Sequence, residues 1–178
     1  MKFNIDGASK GNFGDAGYGG VIRDEKGNIK VIFHNNLGNA TNNMAELMAI
    51  KQCLEILIDS NLHNTIIEAD SELTINSAKK IGTGTTPDNV SNHSRLLQVY
   101  HRIKFHLRIL RTLRFVNVCR NTNRLADQLA NEGVLCIRDN KSSWESVPAG
   151  KMREDCCTLA SACMEHYQCM KEKQPIEN

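Results

Sequence analysis

Residues 2–20, KFNIDGASKGNFGDAGYGG, alternate apolar and polar positions and then break into glycine-rich turns. Phe3 and Ile5 alternate with Lys2, Asn4 and Asp6, a period of two that predicts a strand burying the first pair and placing Asp6 on the opposite side. Gly7, Gly11 and Gly14 follow, and residues without a Cβ let another backbone or a ligand approach the strand end. An acid in such a place is a candidate metal ligand. An Asp before Gly is equally ordinary turn chemistry, so partners elsewhere in the chain have to decide its role.

Tyr18 to Arg23 and Asn28 to Asn35 read as two further strands joined by Asp24-Glu25-Lys26-Gly27, a connection suited to a hairpin. Asn35 to Asn39 reads as a polar loop. From Met44 the period changes: Leu47, Ile50, Leu54, Leu57 and Ile58 recur at helical spacing through Asp59. Asn43 and Glu46, three apart ahead of this stripe, have the spacing of a capping box. Thr65 to Ala69 is a β-branched strand ending at Asp70, and Ser71 to Lys80 reads as a helix stopped by Gly82 and Gly84. After a loop to Val90, Asn92 to Leu110 predicts a long helix with Leu96, Tyr100, Ile103, Leu107 and Leu110 on one stripe. Arg95, His101, Arg102, Lys104, His106, Arg108 and Arg111 occupy its other faces, a solvated surface or a track for phosphates. Thr112 to Val118 is a last strand, and Arg124 to about Val134 a helix with Asp127 in its first turn. The order predicts an α/β chain: a five-stranded mixed sheet with helices on both faces.

At 178 residues and 40% hydrophobic composition the chain has room for one core domain, expected over 1–134, and a tail over 135–178. The net charge of +2 is too small to mark a nucleic-acid protein by bulk charge, so a basic footprint has to be local. No apolar run approaches membrane-spanning length and the N-terminus lacks a secretion-signal pattern, which predicts an intracellular protein, cytoplasmic or nuclear, without membrane contact. Seven cysteines in that setting predict mostly reduced thiols. Cys156, Cys157, Cys163, Cys169 and His166 crowd the tail but match no common zinc-finger spacing. A short helix over about Arg153 to Lys171, in an otherwise disordered appendage, is the expectation there.

Four acids recur at element ends, and each has an ordinary structural role. Asp6 serves a turn, Glu46 closes a capping box, Asp70 caps the following helix, and Asp127 favours the positive end of its own. Jointly they read differently, because Asp6 and Asp70 lie at strand ends while Glu46 and Asp127 lie in first helical turns able to face them. Carboxylates gathered this way repel, and a divalent cation relieves the repulsion. An all-oxygen donor set favours Mg²⁺ or Mn²⁺ over zinc.

The segments FNIDGASKGN, TNNMAELMAI, EADSELTI and NRLADQLAN, in this order and spacing, resemble the four acid-bearing motifs of ribonuclease H type 1 over about Met1 to Gly133. GYGGVIRDEKGN and ADQLAN are similar, more narrowly, to the ribonuclease H domains of plant retroelement-derived proteins. The resemblance implies a ribonuclease H-like fold, with Asp6, Glu46, Asp70 and Asp127 as catalytic, metal-binding acids for two Mg²⁺ ions, replaceable by Mn²⁺. It implies hydrolysis of the RNA strand of RNA–DNA hybrids, leaving a 5′-phosphate and a 3′-hydroxyl, by a monomeric enzyme. Clustered carboxylates then replace a nucleophilic side chain. Gly7, Asn12, Asn42, Asn43 and Ser71 match hybrid-contacting positions, where 2′-hydroxyls distinguish RNA from DNA.

Two departures from the family stand out. Ten residues before the last acid the family commonly has His, and this chain has Asn117, which cannot titrate. Where the family usually reads Gly-Asn-Pro-Gly, Phe13 replaces Pro and frees φ in the turn after the first acid. The segment from Ser71 to Val90 also lacks the extra basic helix of some bacterial members, which leaves the grip on the duplex to the face from Asn92 to Arg114. A catalytically weak or inactive hybrid-binding module of retroelement origin is the competing reading, and retention of four mutually repelling acids speaks against it.

Overall fold

The alternation at the N-terminus does form a strand, β1 (Lys2–Ser9), at the centre of the sheet. The computed structural model describes residues 1–84, 94–110, 112–136 and 144–146. β2 (Gly14–Arg23) and β3 (Ile29–Ala40) continue as antiparallel neighbours of β1. The helix α1 (Asn42–Asp59) leads to β4 (Thr65–Ala69), parallel to β1. Helices α2 (Glu72–Gly82) and α3 (Ser94–Ile109) lead to β5 (Leu113–Asn117), parallel to β4, and α4 (Arg124–Leu135) follows. The expected five-stranded mixed sheet is therefore present, in the order β5-β4-β1-β2-β3. A three-residue strand, β6 (Trp144–Ser146), pairs antiparallel with β3 at that edge and lies within the segment read as a tail. The helix expected near Arg153 to Lys171 and the tail's Cys/His group lie outside the described residues.

Helices cover both faces of the sheet. Phe3 and Ile5 are fully buried on the α1 side, where α1 contributes Leu47, Ile50, Leu54 and Leu57. Asn4 and Asp6 on the other side are buried as well, because α4 packs there; alternation alone cannot show that a polar strand face is covered. Two glycines make both approaches close. A methyl group at Gly7 would overlap the backbone of Ala45 and Glu46, and one at Gly19, the register partner of Asp6, would sit 2.6 Å from Leu129 C.

Several boundaries differ from the sequence reading. The polar run Asn35–Asn39 is not a loop: it pairs with β2, with a register shift between Ala16 and Gly17. Its amides find partners that composition does not reveal, Asn36 Nδ2 donating to Val134 O at 2.9 Å and Asn36 Oδ1 accepting from Gly38 N at 2.8 Å. The α1 N-cap is Thr41, whose Oγ1 accepts from Met44 N at 3.2 Å, so Asn43 and Glu46 form no capping box. Ser71, rather than Asp70, caps α2 by accepting from Thr74 N at 3.2 Å. On α3, Tyr100, Ile103 and Leu110 are buried as expected, and His106, assigned to the outer face, is buried too. Burial holds its imidazole below the usual histidine range. Arg102 and Arg108 remain exposed.

Candidate metal centre

Three chain segments deliver carboxylates to one place. Asp6 comes from β1, Glu46 from the start of α1, and Asp70 from the bend immediately after β4. Each offers an oxygen, and the three oxygens lie within 4.8 Å of one another. The absent side chain at Gly7 is what lets α1 approach β1 closely enough for Glu46 to join Asp6.

Two of these acids are buried as well as clustered, and Asp70 is half-buried. Asp6 is 6% exposed and Glu46 4% exposed. Burial pushes the Glu46 carboxyl up to about 9, reinforced by the charges of Asp6 and Asp70. Burial and then Asp70 push Asp6 up to about 7, with a smaller contribution from Asp127, opposed by the Gly7 N–H and by Arg120. Buried Glu46 Oε2 has no hydrogen-bond partner. An unpaired buried carboxylate oxygen is unfavourable, and a hard divalent cation is the partner that removes both the desolvation and the repulsion. The donor set therefore fits such an ion: oxygen only, no thiolate or imidazole.

Asp127 stands apart from the three. It lies in the first turn of α4, half-buried, and its Oδ1 meets Arg120 Nη2 at 3.4 Å. It acts on Asp6 through charge without belonging to the 4.8 Å group.

The residues expected to contact substrate fall into two sorts. Asn12 adopts a left-handed φ of 57° and its Oδ1 accepts from Asn42 N at 3.1 Å, which ties the β1–β2 turn to the start of α1. Asn42 and Asn43 are exposed beside that tie. Phe13, next to Asn12, is 71% exposed. Ser71 is engaged as the α2 cap and also donates to Thr74 Oγ1 at 2.8 Å. Asn117 Nδ2 donates to Ala69 O at 3.2 Å and to Asp70 O at 3.0 Å, holding the ends of β5 and β4 together below Asp70.

One site neighbour escapes sequence patterning. Asn123 lies in a polar turn, NTNRLAD, where it reads only as a turn or cap residue. In the fold it is 1% exposed, and its Nδ2 donates to Ile5 O at 2.9 Å with a longer contact of 3.4 Å to Asp70 Oδ1. The signal available in sequence was its place four residues before Asp127, without anything to say what it faces.

Comparison with known proteins bears on the family and the fold. The family described as reverse transcriptase-like matches residues 4–133. A protein of Arabidopsis thaliana named as a ribonuclease H is 33% identical in an alignment of 171 residues that covers 90% of this chain and 25% of that protein. Ribonuclease HI of Halobacterium salinarum is 33% identical over 130 residues, covering 73% of this chain and 62% of the relative. The chain thus spans a quarter and somewhat under two thirds of these two proteins. The crystal structure of the Halobacterium salinarum RNase H1 superposes with a TM-score of 0.62 at 32% identity, over 75% of this chain and 96% of that one. LC11-RNase H1, crystallised with an RNA/DNA hybrid, gives a TM-score of 0.62 at 30% identity, over 75% of this chain and 95% of that one.

Proposed function

This chain belongs to the reverse transcriptase-like family of ribonuclease H domains, and we propose that it hydrolyses the RNA strand of RNA–DNA hybrids, with Asp6, Glu46, Asp70 and Asp127 as its catalytic acids. The observation that carries this reading is the trio of buried Asp6, buried Glu46 and half-buried Asp70, with oxygens within 4.8 Å and Glu46 Oε2 unpartnered. Those three would hold the metal, and Asp127 completes the set from the rim. Two Mg²⁺ ions, replaceable by Mn²⁺, would supply an activated water and a stabilised leaving oxygen.

The chain's own residues have three tasks. The acids gather and orient the cations. Asn12, Asn42, Asn43 and Ser71 place small or amide groups where the hybrid backbone would run, which suits contacts to 2′-hydroxyls, whereas Gly7, expected to join them, is covered by the α1 backbone and serves to admit that helix. The exposed Arg102 and Arg108 of α3 add charge for phosphates. The nuclease domain in this reading covers 1–134 and acts as a monomer, with 135–178 as an appendage that lends the edge strand β6 to the sheet. Among the described residues no helix is long and apolar enough to cross a membrane.

A labelled RNA–DNA hybrid incubated with Mg²⁺ or Mn²⁺ tests the proposal. The expected products carry 5′-phosphate and 3′-hydroxyl ends, and Asp70→Asn should abolish them. One observation favours a second reading, a hybrid-binding module: Asn117 cannot carry a proton, and its amide is committed to the Ala69 and Asp70 carbonyls. Hybrid bound but left intact by the unaltered protein would select that module. On the nuclease reading the residual chemistry rests on the acids, so Asn117→His should raise the single-turnover rate about tenfold by adding a titratable group. An unchanged rate, with the fold preserved by circular dichroism, would remove the proton-transfer argument.

A further inference from the structure

We propose that Asn123 is a positioning residue that fixes the Asp70 carboxylate for cation binding, an inference that rests on the ribonuclease reading above. Three features of this side chain are hard to account for as packing. Asn123 occupies the N-cap of α4, where an Asn normally turns its side-chain oxygen onto the first free N–H groups of the helix, yet here it makes no such bond. Its Oδ1 is buried without a partner, an unfavourable state for an amide that is 1% exposed. Its Nδ2 instead faces two acceptors from distant parts of the chain, Ile5 O at 2.9 Å and Asp70 Oδ1 at 3.4 Å.

The chemistry of those neighbours sets the orientation of the amide. Both are oxygens that only accept, so the NH₂ group has to face them, and the flipped amide would set oxygen against oxygen. The residue therefore links three of the acids. Ile5 O belongs to the peptide leading into Asp6, Asp70 receives the side chain directly, and the Asn123 carbonyl accepts from Asp127 N at 3.1 Å. Asp70 sits at a bend after β4 rather than inside an element. The Asn123 N–H group restrains one of its oxygens and leaves the other for a cation, as hydrogen bonds to ligating carboxylates do in metal sites.

Asn123→Ser tests this with little risk to folding, because Ser is among the preferred N-cap residues while its hydroxyl is too short to span to Asp70. Asn123→Asp keeps shape and size and exchanges the donor for a like charge. The readouts are Mn²⁺ binding to the full chain without nucleic acid, followed by electron paramagnetic resonance, and hybrid binding in chelator, followed by fluorescence anisotropy. Both variants should melt cooperatively, bind Mn²⁺ roughly 10–100-fold more weakly, with Asp the weaker, and hold the hybrid within about twofold of the parent. Mn²⁺ affinity within about twofold of the parent in either folded variant overturns the proposal, as does an equal loss of metal and hybrid affinity. A parent protein that binds no Mn²⁺ overturns the ribonuclease reading together with this one. A parent that binds Mn²⁺ and cleaves, beside an Asn123→Ser protein that matches it, removes only the role of Asn123.

Discussion

Replacing Glu46 with Gln is expected to raise the stability of the metal-free protein by about 2 kcal/mol at pH 8 while lowering cleavage roughly 10³-fold. Both effects come from the same carboxylate. In the fold its value is pushed from 4.5 up to about 9, first by burial and then by Asp6 and Asp70. A group whose value rises on folding favours the folded state below its unfolded value, and that contribution is lost as pH rises through the folded one. For Glu46 the loss spans about pH 4.5 to 9, and for Asp6, raised from 3.8 to about 7, the lower part of the same window. Urea midpoints of the metal-free protein should therefore fall between pH 5 and pH 8.5. The fall should be shallower in Glu46→Gln, which has no proton to lose. Added Mg²⁺ should stabilise the parent more strongly at the higher pH, since cation binding displaces protons from these acids. A Glu46→Gln protein that is less stable than the parent at pH 8 without metal would refute the repulsion on which the site assignment depends.

Gly7→Ala should be strongly damaging, with a loss of about 3 kcal/mol and of cleavage with it. The added carbon would meet the Glu46 amide and the Ala45 carbonyl, both backbone, so no side-chain rotation relieves it. Helix α1 would have to withdraw from β1, taking Glu46 away from Asp6 and shifting Asn42 and Asn43 at its start. Gly27→Ala is the control. Its φ is +87° and a methyl there meets nothing within 4 Å, so only the left-handed backbone is penalised, by about 1 kcal/mol. Equal denaturation midpoints for the two variants would show that close packing at Gly7 is not what joins the acids.

Much of the architecture was legible because each period has one physical cause. A two-residue alternation in β1 and the helical stripe of α1 are both consequences of burying apolar side chains, and both segments formed where the pattern lay. The misses share a different cause. Asn35 to Asn39 read as a loop because polar residues seldom cover a core, yet β2 supplied backbone partners and Val134 an acceptor from far along the chain. Asn43 and Glu46 had the spacing of a capping box, but Thr41 supplied the cap and Glu46 was drawn toward Asp6 and Asp70. His106 carried a polar label on a charged helix and was buried anyway.

The candidate site divides in the same way. Residue types and spacing were enough to single out Asp6, Glu46, Asp70 and Asp127, because an acid at an element end is a local feature. How close they come is not local. Three of them converge because Gly7 admits α1, whereas Asp127 remains at the rim beside Arg120. The raised values of Asp6 and Glu46 depend on burial under helices packed on both faces, which no window of sequence contains. Asn123 is the clearest case. Its partners, Ile5 and Asp70, are 118 and 53 residues away, and only closure of α4 against β1 turns a cap residue into a neighbour of the acids. The sequence by itself determined five strands and four helices, their order and the acids they carry, since these follow from side-chain chemistry over a few residues, but not the edge strand β6 or the strand character of Asn35 to Asn39. Tertiary structure alone decided which acids share a charge-repelling, water-poor pocket, because that depends on distances between segments the chain brings together only when it folds.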